Sequence, residues 1–124
     1  MTSGTLQNCR ILLVEDEYLL ADELRAVLTA EGADALGPVA TLAEALGLVS
    51  LEIEIDAAVL DTNLRGEMVF PVADLLDQRR VPFLFTTGYD ASMIPTRFKH
   101  IARCEKPTDL EKITLAIGRM VHGQ

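Results

Sequence analysis

Ile11-Leu12-Leu13-Val14-Glu15-Asp16-Glu17 is the stretch that decides the fold. Four consecutive apolar residues without alternation fit a strand buried on both faces, the kind found in parallel sheets covered by helices. Three acids then end the apolar run. Beyond them the period changes: Leu19, Leu20, Leu24, Val27 and Leu28 recur at helical spacing, and Gly32 supplies a stop.

The same strand-then-helix step repeats along the chain. Ala35-Leu36-Gly37-Pro38-Val39 reads as a second strand near a sheet edge, because Pro38 cannot donate to a ladder. Thr41 with Glu44 makes a capping box that opens a helix through about Val49. Ala57-Ala58-Val59-Leu60 is a third strand ending on Asp61, and a loop through Arg65-Gly66-Glu67 leads to a helix over roughly Val69 to Arg80. Pro82 opens a fourth strand, Phe83-Leu84-Phe85-Thr86, which runs out at Thr87-Gly88. Ile101 to Cys104 reads as a short fifth strand before Lys106-Pro107. Thr108 with Glu111 suggests a second capping box, and Leu110, Ile113, Leu115, Ile117 and Val121 stripe the last helix. Between Gly88 and Lys99 there is Pro95 and no clean period, so a short helix at most is expected there. The expected fold is α/β: a doubly wound five-stranded parallel sheet, flavodoxin-like, in a three-layer (βα)5 sandwich.

Bulk properties bound the rest. A chain of 124 residues is expected to be one domain over 1–124, with a disordered tail of about 1–8. Nineteen acidic against 11 basic residues, a formal net charge of −8, oppose non-specific nucleic-acid binding, which needs basic patches. Cys9 and Cys104 have no metal-ligand spacing and read as free thiols of a reducing compartment, a disulfide requiring that the fold bring them together. His100 and His122 read as surface residues. There is no charged-then-apolar leader and no apolar run near 18 residues, so a cytoplasmic chain without membrane association is expected.

In open parallel sheets, ligands bind beyond the carboxyl ends of the strands. Here the first strand ends in Glu15-Asp16-Glu17, the third on Asp61 and the fourth on Thr87, while Lys106 follows the fifth. Facing carboxylates repel unless a cation neutralises them, and Mg2+ suits a site of oxygen donors. Lysine supplies a point charge and threonine a hydroxyl for phosphoryl oxygens, with Asp61 as nucleophile. Each residue alone also has an ordinary reading. The three acids suit a helix N-terminus, and Glu17 is assigned to that role and left outside the site. Asp61 suits a turn. Thr86 and Thr87 suit a strand, Thr87 being preferred for its place before Gly88. Lys106 suits the surface.

Together these residues resemble a response-regulator receiver domain, over essentially the whole chain from Ile11 to about Val121. The motifs that match are Leu13-Val14-Glu15-Asp16-Glu17, Val59-Leu60-Asp61-Thr62-Asn63-Leu64, Thr87-Gly88 and Lys106-Pro107. The resemblance implies that Asp61 is phosphorylated, that Asp16, Asp61 and the Asn63 carbonyl hold Mg2+, and that Glu15 acts through a water. It implies phosphoryl transfer from a sensor histidine kinase or histidine phosphotransfer protein. It also implies output to a downstream target protein by a monomer or weak homodimer, with no turnover of an external substrate. A Lys106-Pro107 bond in the cis state is expected on the same ground. Two positions depart from the pattern: Arg65 stands where proline is usual, and Arg103 where a switch aromatic is usual. Tyr89, in Phe85-Thr86-Thr87-Gly88-Tyr89, instead resembles a single-domain subgroup with Phe-x-Thr-Gly-Tyr and an unusual fourth helix. Thr87, Tyr89 and Arg103 are therefore the expected switch residues. The competing functions are a phosphorylation-independent pseudo-receiver and a small Mg2+-dependent phosphohydrolase. The second is opposed by Asn63 where such enzymes place an acid.

Overall fold

The computed structural model describes residues 5–51, 54–88 and 91–123. Along these residues run β1 (Arg10–Val14), α1 (Tyr18–Ala30), β2 (Asp34–Val39), α2 (Leu42–Ser50), β3 (Ala57–Asp61), β4 (Asn63–Leu64), β5 (Glu67–Met68), α3 (Phe70–Gln78), β6 (Phe83–Thr87), β7 (Arg103–Glu105) and α4 (Leu110–His122). Five strands form one parallel sheet in the order β2-β1-β3-β6-β7, the expected doubly wound arrangement. The order reverses between β1 and β3, so a crevice opens at the carboxyl ends of these two strands.

Strand alternation divides the core into two layers. Leu12, Val14, Ala58, Leu60, Phe83 and Phe85 pack with residues of α2 and α3 on one face. Ile11, Leu13, Ala57, Val59 and Leu84 meet Leu24 and Leu28 of α1 and Ile113 and Ile117 of α4 on the other. β3 and β6 are buried along their whole length, which is why their sequences read as unbroken apolar runs.

β2 lies at the sheet edge, as Pro38 requires. Its pairing with β1 slips between Leu12 and Val14, opposite Gly37-Pro38. Gly37 has φ +97°, and a Cβ there would lie 2.7 Å from Val39 N and 2.9 Å from Leu13 O, so only glycine fits. The Gly37-Pro38 and Lys106-Pro107 bonds are both cis, the second as expected.

Where a fourth long helix would sit, two single 3₁₀ turns occur, Ala91–Met93 and Thr96–Phe98. Phe98 anchors this segment. It is buried, with its ring centroid 5.9 Å from those of Phe83 and Phe85 and 6.2 Å from that of Phe70. Arg97 holds the outside, its guanidinium 3.0 and 2.9 Å from the two carboxylate oxygens of Asp74 and 4.7 Å from the Phe98 ring centre.

Four expectations need correction. Thr108 does not cap α4; Asp109 does, its Oδ1 accepting from Glu111 N at 2.9 Å and Lys112 N at 3.4 Å. A carboxylate one residue nearer the helix reaches the first free amides better than the hydroxyl behind it. The loop after Asp61 contains an antiparallel hairpin of β4 and β5. In α1 the buried residues are Ala21, Leu24 and Leu28, while Leu19 is 75% exposed, so the stripe starts on alanine. Finally, the expected disordered tail is ordered from Thr5 onward: Leu6 is fully buried, and its amide donates to Glu31 O at 2.9 Å. Leu6 packs in the layer of α1 and α4, and Asn8 N donates to Gly32 O at 3.1 Å, so both burial and backbone bonds hold this short strap. Residues 1–4 lie outside the described residues.

Candidate functional site

The crevice gathers the strand-end residues. Asp61, the last residue of β3, is 3% exposed, a position that would be costly for a bare carboxylate. Its Oδ1 accepts from Asn63 N at 3.2 Å and its Oδ2 from Lys106 Nζ at 2.9 Å. Lys106 is set in place by its own amide, which donates to Thr87 O at 2.7 Å at the end of β6. Its ammonium also reaches Glu17 Oε2 at 2.6 Å and Glu15 Oε2 at 3.5 Å. Glu15, just past β1, is buried and accepts from Glu17 N at 3.1 Å. Asp16 pairs with Arg65 Nε at 3.9 Å.

Glu15, Asp16 and Asp61 each offer an oxygen within 4.8 Å of the other two. Three acids this close can bind a metal ion. Hard carboxylate oxygens at an open cleft suit Mg2+, which keeps several waters and needs few protein ligands. The cleft, about 420 Å3, is lined by Asp16, Glu17, Asp61, Asn63, Arg65 and Lys106 with two glycines.

Crowding is visible in the proton affinities. Burial, a hydrogen bond with Asp61 and repulsion from its charge push the Glu15 carboxyl up to about 8, against opposing pulls from Glu17 N and Lys106. Burial also raises Asp61, although Glu15, Lys106 and Asn63 N all favour its charged form. Of the two, Glu15 is the acid whose protonated form is favoured, while Lys106 and Asn63 N favour the charged form of Asp61 against its burial. Burial alone would lower Lys106, but the carboxylates of Glu17, Asp61 and Glu15 outweigh it and raise the ammonium instead.

The structure brings together Glu15, Asp16, Asp61, Asn63 and Lys106 as the sequence suggested. Thr87 is at the right strand end but fully buried, and it does not line the cleft. The hydroxyls of Thr86 and Thr87 are both without a hydrogen-bond partner among the described residues. Tyr89 lies outside the described residues. Arg103 does not line the cleft; its guanidinium donates to Lys99 O at 3.2 Å, just after the second 3₁₀ turn.

Two residues were missed. Glu17, read as a helix-start acid, makes the shortest of the three contacts to Lys106. Arg65, read as a loop residue and a departure from proline, lines the cleft and pairs with Asp16. The available signal was Arg65-Gly66 after Asn63-Leu64, a two-residue turn. Both central residues have positive φ, +54° and +94°, and Asn63 Oδ1 accepts from Gly66 N at 2.6 Å. This turn carries the Arg65 side chain to the mouth of the cleft.

No family model matches the chain. It is 33% identical over 86 residues to the aerobic respiration control protein ArcA of Escherichia coli K12, covering 68% of this chain and 35% of ArcA. The chain thus spans about a third of the length of the curated relatives it matches. The solution structure of SdrG from Sphingomonas melonis Fr1 is 37% identical, with a TM-score of 0.68, covering 90% of this chain and 96% of SdrG. The receiver domain of sensor histidine kinase PA1611 from Pseudomonas aeruginosa PAO1 superposes at a TM-score of 0.78 and 20% identity, covering 93% of this chain and 98% of that one. That structure has a magnesium ion coordinated in its active-site cleft. The chain belongs to the response-regulator receiver domains of two-component systems. In this receiver domain the clustered carboxylates of Glu15, Asp16 and Asp61 lie at the strand ends where the sheet order reverses.

Proposed function

We propose that this receiver domain accepts a phosphoryl group on Asp61 in a Mg2+-dependent reaction and signals by binding another protein. One observation carries the reading: a buried Asp61 carboxylate sits 2.9 Å from Lys106 Nζ and beside two further acids. In the proposed transfer an Asp61 oxygen forms a P–O bond as the P–N bond of a donor phosphohistidine breaks, and the donor ring, already protonated on its other nitrogen, leaves as neutral imidazole. Lys106 would pair with the transferred phosphoryl oxygens, and Thr87 would donate its hydroxyl to one of them. Mg2+ would be held by Asp16, Asp61 and the Asn63 carbonyl, with Glu15 through a water, and would neutralise charge on the phosphoryl oxygens. Asp61 would turn over no external substrate.

The donor would be a sensor histidine kinase or a histidine phosphotransfer protein in the cytoplasm. The chain would act on its own, as a monomer or weak dimer, passing its state to a downstream protein. The proposed read-out runs through the Gly88–Lys99 segment, with Thr87 and Tyr89 at its start and Arg103 holding its end through Lys99 O. Tyr89, two residues past Thr87, would obstruct the attacking water and lengthen the life of phospho-Asp61; an unchanged dephosphorylation rate in Tyr89→Ala removes that role.

Incubation with acetyl phosphate and Mg2+, followed by intact-mass measurement, tests the central claim. A gain of one phosphoryl group that disappears in Asp61→Ala supports it. No gain, or a gain that survives in Asp61→Ala, rejects phosphorylation at this site and favours a binding module that works without it.

A further inference from the structure

The acids of the crevice are not all served by the same cation. Lys106 reaches Glu15, Glu17 and Asp61. Asp16 is left to Arg65, which among the described residues is the cation paired with it. Asp16 is 15% exposed at its side chain and Arg65 71%, so the pair spans the mouth of the cleft from an inner acid to an outer base.

The approach is built into the backbone. Leu64 and Glu67 pair across the β4–β5 hairpin, and Arg65-Gly66 makes its tip. Arg65 there has φ +54°, a left-handed conformation that glycine or asparagine adopts more readily than arginine. The Asn63 Oδ1 to Gly66 N bond ties the tip to the residue two places after Asp61. A long basic side chain thus stands on a fixed turn facing an acid of the proposed metal site.

We infer that Arg65 competes with the divalent cation for Asp16, and so sets how much Mg2+ this receiver domain needs before Asp61 can be phosphorylated. The inference rests on the metal-dependent reading of the site and adds a residue to it. A cation ligated by Asp16 must displace the guanidinium or share the carboxylate with it, and either costs binding free energy. An ion pair with one exposed member is weak, so the effect is a modest tuning rather than a block.

Titration of the full chain with Mg2+ alone, by calorimetry, tests this. Arg65→Asn removes the charge while suiting the left-handed turn, and should tighten Mg2+ binding about threefold to fivefold. Arg65→Lys keeps the charge and should stay near the parent affinity. Arg25→Asn deletes an exposed charge of α1 that pairs with Asp22 instead, and should leave the affinity unchanged. Thermal melts of each variant with chelator confirm that the fold is kept. Equal Mg2+ affinity in Arg65→Asn and the parent overturns the inference, as does equal tightening in Arg25→Asn. These results leave the parent reading intact if the unsubstituted chain still binds Mg2+ and is labelled on Asp61. A parent chain that binds no Mg2+ overturns both.

Discussion

Lys106 lies 2.6 Å from Glu17 and 2.9 Å from Asp61, so one ammonium is divided between an outer acid and the inner acceptor. Glu17 is largely exposed, whereas Asp61 is buried at a strand end. Glu17 therefore acts as a tether that keeps the lysine at the crevice and competes for it.

The tether and the acceptor should separate by mutation. Lys106→Ala removes a charge-assisted hydrogen bond worth about 1.5–3 kcal/mol and should slow labelling of Asp61 by acetyl phosphate by roughly 10- to 100-fold. Glu17→Gln frees the lysine from a weak exposed pair and should raise that rate by no more than about fivefold. Time courses of intact mass compare the two; a Glu17→Gln rate as low as that of Lys106→Ala would show that the tether, not the competition, dominates.

The proton on Glu15 makes stability depend on pH. Its carboxyl is raised from 4.5 to about 8 in the folded chain, so between these values the folded state binds more protons than the unfolded. Stability in chelator should then fall as pH rises from about 4.5 to 8 and level off above, with the raised Asp61 adding in the same direction. Lys106 is raised too, so its contribution is complete below 10.5 and is lost only at more alkaline pH. Mg2+ should restore stability most at the upper end of the window, where the acids are charged. Melting temperatures across pH with and without Mg2+ check this, and a flat profile in chelator would contradict it.

Phe98→Ala should cost about 3–5 kcal/mol, because it empties a site bordered by three other rings. Urea unfolding measures the loss. Arg97→Ala, which breaks an exposed pair with Asp74, should cost well under half of that.

The capping assignment is testable at three positions. Thr41→Ala should cost about 1 kcal/mol, since Thr41 Oγ1 accepts from Glu44 N at 3.1 Å. Asp109→Ala should cost a similar amount. Thr108→Ala should be near neutral, because the hydroxyl it removes is buried without a partner among the described residues. Chemical denaturation of the three variants decides between Asp109 and Thr108 as the cap.

The central sheet was legible because its strands are buried on both faces: Ile11–Val14, Ala57–Leu60 and Phe83–Phe85 carry no alternation that could mislead. The strand-end acids and Lys106 were legible because the switch in strand order brings them together whatever the loops do. What failed was local. Two-residue strands such as Asn63–Leu64 and Glu67–Met68 are too short to show a period, so only the turn between them could have been seen. Leu6 gave no pattern because one buried residue has none. Glu17 and Arg65 carry charges that suit the surface equally well, and their partners, Lys106 and Asp16, are distant in sequence.

All four phenylalanines of the chain, Phe70, Phe83, Phe85 and Phe98, belong to one aromatic cluster on the α3 face of the sheet. Nature has in effect concentrated a single residue type at the joint between rigid sheet and short turns. Replacing phenylalanine with a fluorinated analogue would therefore place every label at that joint and none elsewhere. The resulting fluorine spectrum would have four lines, each shaped by the ring currents of its neighbours, and any shift of the Thr96–Phe98 turn would register in all of them.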